Sequence, residues 1–269
     1  MMKDSELILR QKTAKLLRAG RKVRGINQSQ MAEILGVTQS MISKLESATL
    51  GPDAGVWYHF CQELSIDPDL TFRSGYVFVK GKKISKKNLA FRFPRNYKAN
   101  DLLVKEALPF ISLIEELDLE QDFNGYCIGL KIDPDIFSVP NLAIPFSIFS
   151  KLMDYIKSNK ILKQSLNAAI NFESQDLKLT GSDDESKIEK VVSMIQQRQN
   201  ILSISQKKSS IEIKIAPDFS FSEESEVYLD DYFSLKSKQI ESILKEINPT
   251  KNVDIKVLSK HHLQVSFVA

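Results

Sequence analysis

In the eight residues QSMISKLE, Gln39–Glu46, two chemistries are separated at helical spacing. Ile42 and Leu45 fall on one side of a helix, and Gln39, Ser40, Ser43 and Lys44 fall on the other. That outer side offers an amide, two hydroxyls and an ammonium, with no carboxylate before Glu46, so nothing on it repels an anion. This is the chemistry of recognition by hydrogen bonds. Bond-making chemistry is hard to find elsewhere. Of the three histidines, His59 lies in a helical pattern, while His261 and His262 are neighbours on an expected strand and point to opposite faces, so they do not readily share a metal. There is no glycine-rich phosphate loop, serine elbow or paired-cysteine cluster. Cys61 and Cys127 stand far apart and are expected to be reduced and buried. Asp183-Asp184-Glu185 reads as the acidic first turn of a helix, and Asp133 and Asp135, flanking Pro134, read as turn residues. No catalytic residue, metal ligand or cofactor is expected, and the chain is not expected to be an enzyme.

The elements that must position this outer face lie just before it. In NQSQMAEILG, Asn27 is placed to cap a helix whose apolar face is Met31, Ile34 and Leu35. Gly36 ends that helix, because the residue past a helix often needs a positive φ that glycine adopts at little cost. Thr38 is placed to cap the next one. Ala32 lets the two axes approach, and Ile42 fills the angle between them. This is the arrangement of a helix-turn-helix, whose second helix must protrude to enter the major groove of DNA.

Residues 7–72 resemble the phage-repressor/Cro-type (XRE) helix-turn-helix family. The resemblance rests on Arg21, Gly25-Ile26-Asn27-Gln28, Ala32, Gly36-Val37, Ile42 and Leu45-Glu46, followed by Pro52, Trp57, Phe60, Leu64, Ile66 and Pro68. It implies five helices, the first from about Asp4 to Val23, the fourth from Asp53 to Leu64 and the fifth a short one through DPDLTF. By the same resemblance, Gln28 holds a DNA phosphate and Gln39 reads a base, where a glutamine can pair with adenine. Thr38, Ser40, Ser43 and Lys44 complete the DNA-facing set. Lys44 either reads guanine or neutralises a phosphate. Arg21 and Glu46 match a pair that ties the first helix to the end of the third. Arg10, Lys12, Lys15, Arg18, Lys22 and Arg24 give the first helix and its end a basic side that could approach the DNA backbone.

Charge is distributed unevenly. Residues 1–98 hold 18 Lys and Arg against 8 Asp and Glu, a net of +10, and the remaining 171 hold 19 against 26, a net of −7. The first part suits a polyanion and the second does not. The densest basic tract follows Ser74, with Lys80, Lys82, Lys83, Lys86, Lys87, Arg92 and Arg95. Tyr76–Val79 and Leu89–Phe93 have strand-like content around a Gly81-Lys82-Lys83 turn. This stretch is either an arm whose Lys82, Lys83, Lys86 and Lys87 lie on phosphates, or a solvated linker.

From residue 99 the pattern is mixed. DLLVKEALPFISLIEEL reads as a helix kinked or broken at Pro109, and IPFSIFSKLMDYIKSN as an amphipathic helix. Further helices are expected through Lys160–Phe172 and Glu185–Gln199, then a hairpin of NILSIS and SIEIKIAP, a long helix after Glu223, and one or two closing strands. GLKIDPDIFSVPNLAIPFSIFSKLMDYI resembles the arabinose-binding-like sensor domain of some AraC-type regulators, which carry their DNA-binding helices after that domain rather than before it.

The expected organisation is an all-α helix-turn-helix domain of five helices at 1–74, a basic connector at 75–98 and a larger α+β domain at 99–269 for sensing or dimerisation. The expected function is sequence-specific transcription regulation by a homodimer on double-stranded DNA, with a small apolar or amphipathic effector as a further partner. The apolar runs are too short to span a bilayer and the N-terminus lacks a signal core, so a cytoplasmic location is expected. The alternatives are a helix-turn-helix that binds protein instead of DNA, or an interaction protein of a phage-defence or toxin–antitoxin type whose N-terminal domain serves autoregulation.

Overall fold

The computed structural model describes residues 2–80, 84, 89–94, 101–164, 184–207, 210–217, 219, 223–250, 252–259 and 262–268. Lys82, Lys83, Lys86 and Lys87, His261, Asp183 and most of the helix expected through 160–172 lie outside the described residues. Two compact units are present, Met1–Asn96 with Asn124–Ala143, and Tyr97–Phe123 with Ile144–Ala269. A division drawn along the sequence does not see this interleaving, in which the chain returns to the first unit midway through a helix at Glu120–Gly129.

The first unit opens with α1 (Met2–Val23), α2 (Gln28–Leu35), α3 (Gln39–Glu46), α4 (Ala54–Glu63) and α5 (Pro68–Ser74), an all-α helix-turn-helix region. Leu16, Leu17, Met31, Leu35, Ile42, Leu45 and Phe60 form its buried centre. Gly20 lets α1 approach closely, because a Cβ there would stand 2.7 Å from both Ile66 Cδ1 and Phe60 Cζ. One expected core residue is misplaced: Ile34 is 37% exposed, since Met31 and Leu35 suffice for the narrow seam against neighbouring helices.

After α5 no ribbon forms among the described residues. Val79 makes a single bridge to Ile66, and the stretch 89–94 has no strand partner among the described residues. Its backbone groups bond elsewhere: the Ala90 N–H donates to Lys22 O at 2.8 Å, and Arg92 O accepts from the Asp133 N–H at 3.1 Å. The returning segment adds a 3-10 helix at Pro134–Ser138, with Ile136, Phe137 and Val139 buried and Ser138 O accepting from the Val77 N–H at 2.7 Å.

The second unit is α+β. The expected long helix through 101–117 is instead β1 (Leu102–Leu103), a 3-10 turn (Val104–Ala107) and α6 (Leu108–Glu116). Pro109 sits in the first turn of α6, where its missing N–H costs nothing, so it starts a helix instead of kinking one. After α7 (Glu120–Gly129) and β2 (Ala143–Ile144) comes α8 (Phe146–Ser158), whose first N–H is capped by Asp101 Oδ2 at 2.8 Å. Helices α9 (Asp184–Arg198) and α10 (Glu223–Ile247) accompany an antiparallel sheet. The sheet runs β3 (Leu202–Lys207), β4 (Ser210–Ile215), β6 (His262–Val268), β5 (Asn252–Ser259). Its register pairs Ile204 with Ile213 and Ile211 with Val265, so alternate residues of three strands fill one buried face. Phe110, Phe146, Phe149 and Tyr232 pack edge to face nearby. Next to them Lys236 is fully buried and ion-paired with Glu106.

Candidate nucleic-acid interface

The local signals that set the helix-turn-helix act as their chemistry requires. Asn27 and Gln30 form a reciprocal capping box, with Asn27 Oδ1 accepting from the Gln30 N–H at 2.9 Å and Gln30 Oε1 from the Asn27 N–H at 2.8 Å. Gly36 adopts φ 65°, ψ 30°, which reverses the chain, and Thr38 Oγ1 accepts from the Met41 N–H at 3.2 Å to start α3. With Ile42 and Leu45 buried beneath, Thr38, Gln39, Ser40, Ser43 and Lys44 are all exposed on one surface.

Behind that surface runs a chain of polar contacts with one possible polarity. Glu46 is buried and accepts from Arg21 twice, Nε to Oε1 at 2.5 Å and Nη2 to Oε2 at 2.9 Å. The same carboxylate accepts from Gln28 Nε2 at 2.9 Å, and Gln28 Oε1 accepts from Gln39 Nε2 at 2.8 Å. An ionised carboxylate is only an acceptor, so it turns the Gln28 amide nitrogen inward, which turns the Gln28 oxygen to Gln39. Gln39 is thereby held amide-nitrogen inward, leaving its Oε1 and one N–H to the outside. Arg21 on the first helix and Glu46 at the end of the third are ion-paired. Gln28 differs from a free phosphate clamp: its side chain is engaged within the protein, and its backbone N–H at the start of α2 is what remains for an anion.

The basic side expected on α1 is largely occupied. Lys22 Nζ bonds both oxygens of Asp133, at 2.9 and 2.7 Å, and Asp135 Oδ2 at 2.7 Å. Arg18 bonds Asp135 and also donates through Nη1 to Glu46 O at 2.6 Å. Arg24, just past α1, donates to Leu64 O at 2.6 Å, and Arg10 pairs with Glu6. These cations are therefore partnered within the protein. Asp133 and Asp135, read as turn residues, do begin a turn: Asp133 Oδ1 accepts from the Asp135 N–H at 3.2 Å. Their ionic role escaped the sequence because their partners lie more than a hundred residues earlier. Burial alone would raise the Asp135 carboxyl, but Arg18 and Lys22 outweigh it and hold the group below the usual carboxylate range.

Beside this cluster, still within the first unit, is an open cleft of about 1600 Å³ lined by Phe91, Arg92, Phe93, Ile128, Lys131 and the two aspartates, among others. Both cysteines are buried free thiols whose pKa burial pushes up to about 12, which removes them from thiolate chemistry. Among the described residues no group of three His, Cys, Asp or Glu is placed to hold a metal, and no helix is long and apolar enough to cross a membrane.

This fold and face define a helix-turn-helix DNA-binding domain. Residues 17–70 match the family model described as Helix-turn-helix, which supports a DNA-binding regulator in general terms. Neither the curated proteins nor the solved structures contain a significant match to the chain.

Proposed function

We propose that this protein is a sequence-specific transcription regulator that acts as a homodimer in the cytoplasm. The observation that carries the reading is the exposed polar face of α3, with Gln39 held in one orientation by the bonds to Gln28 and Glu46. In this reading Gln39, Ser40, Ser43 and Lys44 enter the major groove, Thr38 borders them, and the start of α2 takes a phosphate. Two copies read half-sites about 34 Å apart. The basic tract with Lys82, Lys83, Lys86 and Lys87 is either an arm on the DNA backbone or a solvated linker.

The second unit supplies dimerisation and carries no catalytic role. A sensing role rests only on the resemblance of residues 129–156 to an arabinose-binding-like segment, and no sugar is identified. A small amphipathic effector is seated in this reading in the cleft of the first unit, which Arg92 and Lys131 line. Such an effector must favour one state of the protein over another, since equal affinity shifts nothing. The test is selection of fragments from sheared genomic DNA by the purified protein at physiological salt. An enriched inverted repeat supports a dimeric regulator. Recovery of unrelated sequences together with a stoichiometric co-purifying protein would overturn it in favour of a partner-binding role.

A further inference from the structure

The family match stops at residue 70, yet the first unit also holds Asn124–Ala143. What this returning segment contributes is an acidic clamp. Asp133 and Asp135 have side chains only 8% exposed, and they enclose Lys22 of α1, itself 19% exposed. Asp135 takes Arg18 Nε at 3.2 Å and Nη2 at 3.4 Å, and the third nitrogen of that guanidinium reaches Glu46 O, the last carbonyl of α3. One side chain thus spans the returning segment and the end of the recognition helix. A surface ion pair would be worth little, but the two carboxylates and Lys22 are largely shielded from water and share one cation between two anions, while Arg18 stays partly exposed. The clamp is also fixed from behind, by the Asp133 N–H on Arg92 O and by the buried Ile136, Phe137 and Val139. A cation at the C-terminal end of α3 is favoured by that helix's dipole as well.

We propose that Asp133 and Asp135 are positioning residues for DNA recognition: through Lys22 and Arg18 they lock α1 against the last turn of α3 and so set how α3 is presented. The inference rests on the DNA-reading role of α3 proposed above. It makes the complete DNA-binding unit discontinuous, so that whatever displaces the segment 124–143 loosens the recognition helix. Neither aspartate touches DNA, and a nearby carboxylate by itself repels phosphate.

The experiment compares full-length wild type with the double variant Asp133→Asn/Asp135→Asn on two probes, a fragment enriched in the selection and a random-sequence duplex. The double variant gains two units of positive charge, so charge alone strengthens binding to both probes. Positioning predicts the reverse for the enriched fragment: affinity falls by about tenfold or more while random-duplex binding holds or rises, so the specificity ratio collapses. Asp135→Glu, which keeps the charge, retains most of the ratio. Amide hydrogen exchange of the free proteins is the second arm, and here the last turn of α3 exchanges faster in the variant while the amides of α4, in the same unit, do not change, which separates the clamp from unfolding of the first unit. Binding to both probes that rises together, with unaltered exchange in α3, overturns the proposal. The exchange arm needs no DNA, so it still tests the clamp if wild type enriches no sequence, a result that counts instead against the DNA-reading role.

Discussion

At the scale of single residues, Gln39 and Glu46 act by different physics and fail differently. Gln39 is exposed and bonded through one amide hydrogen, which leaves donor and acceptor free for a base edge. Gln39→Ala should therefore relax preference at one base position, at a cost of about 1–3 kcal/mol of discrimination, with little effect on stability. Repeating the fragment selection with the variant reads this directly, and an unchanged motif would remove Gln39 from the base-reading set. Glu46 is buried, and Glu46→Ala leaves the Arg21 guanidinium enclosed without its carboxylate. Breaking a buried pair on one side costs about 3–5 kcal/mol, so this variant should unfold early in a urea titration of the first unit. A midpoint equal to wild type would show that Arg21 finds water instead.

At the scale of elements, caps and turns were readable because their causes are local. Asn27, Gly36 and Thr38 act on backbone groups within four residues, and each does in the structure what its type predicts. The 3-10 helix at Pro134–Ser138 is different, because its acidic pair is held by α1. Asp135 is held below its unfolded value of about 3.9, so the folded state binds fewer protons and stability rises with pH. Its contribution is fully present above the unfolded pKa and is lost as pH falls through the depressed folded value. The stability difference between wild type and Asp135→Asn should accordingly be full at pH 7 and shrink only once the buffer falls below about 3.9 and through the depressed folded value. A gap that stays constant across that range would deny the carboxylate its ionic role.

At the scale of the whole molecule, the second unit contains a conflict that its size allows it to carry. Lys236 is fully buried and paired with Glu106, whose side chain is 2% exposed. Glu106→Ala should destabilise that unit by about 3–5 kcal/mol, since an ammonium is then left in the core without its charge partner. Replacing both, as Glu106→Leu with Lys236→Met, should cost less than the single change, because a removed pair also removes the desolvation of two charges. Urea midpoints of the two variants order the outcomes, and a double variant less stable than the single one would mean that the pair is net stabilising.

What the sequence determined by itself is the helix-turn-helix with its caps, its inward Ile42 and Leu45 and its outward Gln39, Ser40, Ser43 and Lys44, together with the hairpin and the helices at Phe146–Ser158, Asp184–Arg198 and Glu223–Ile247. These follow from periodicity and from hydrogen bonds closed within a few residues, which a linear reading contains. Only the tertiary structure decided where long-range partners lie. It exposed Ile34, set Pro109 at a helix start, left the stretch 89–94 without a strand partner among the described residues, and brought Asp133 and Asp135 to Arg18 and Lys22. An ion pair leaves no periodic trace in a sequence, because its two halves need only meet in space.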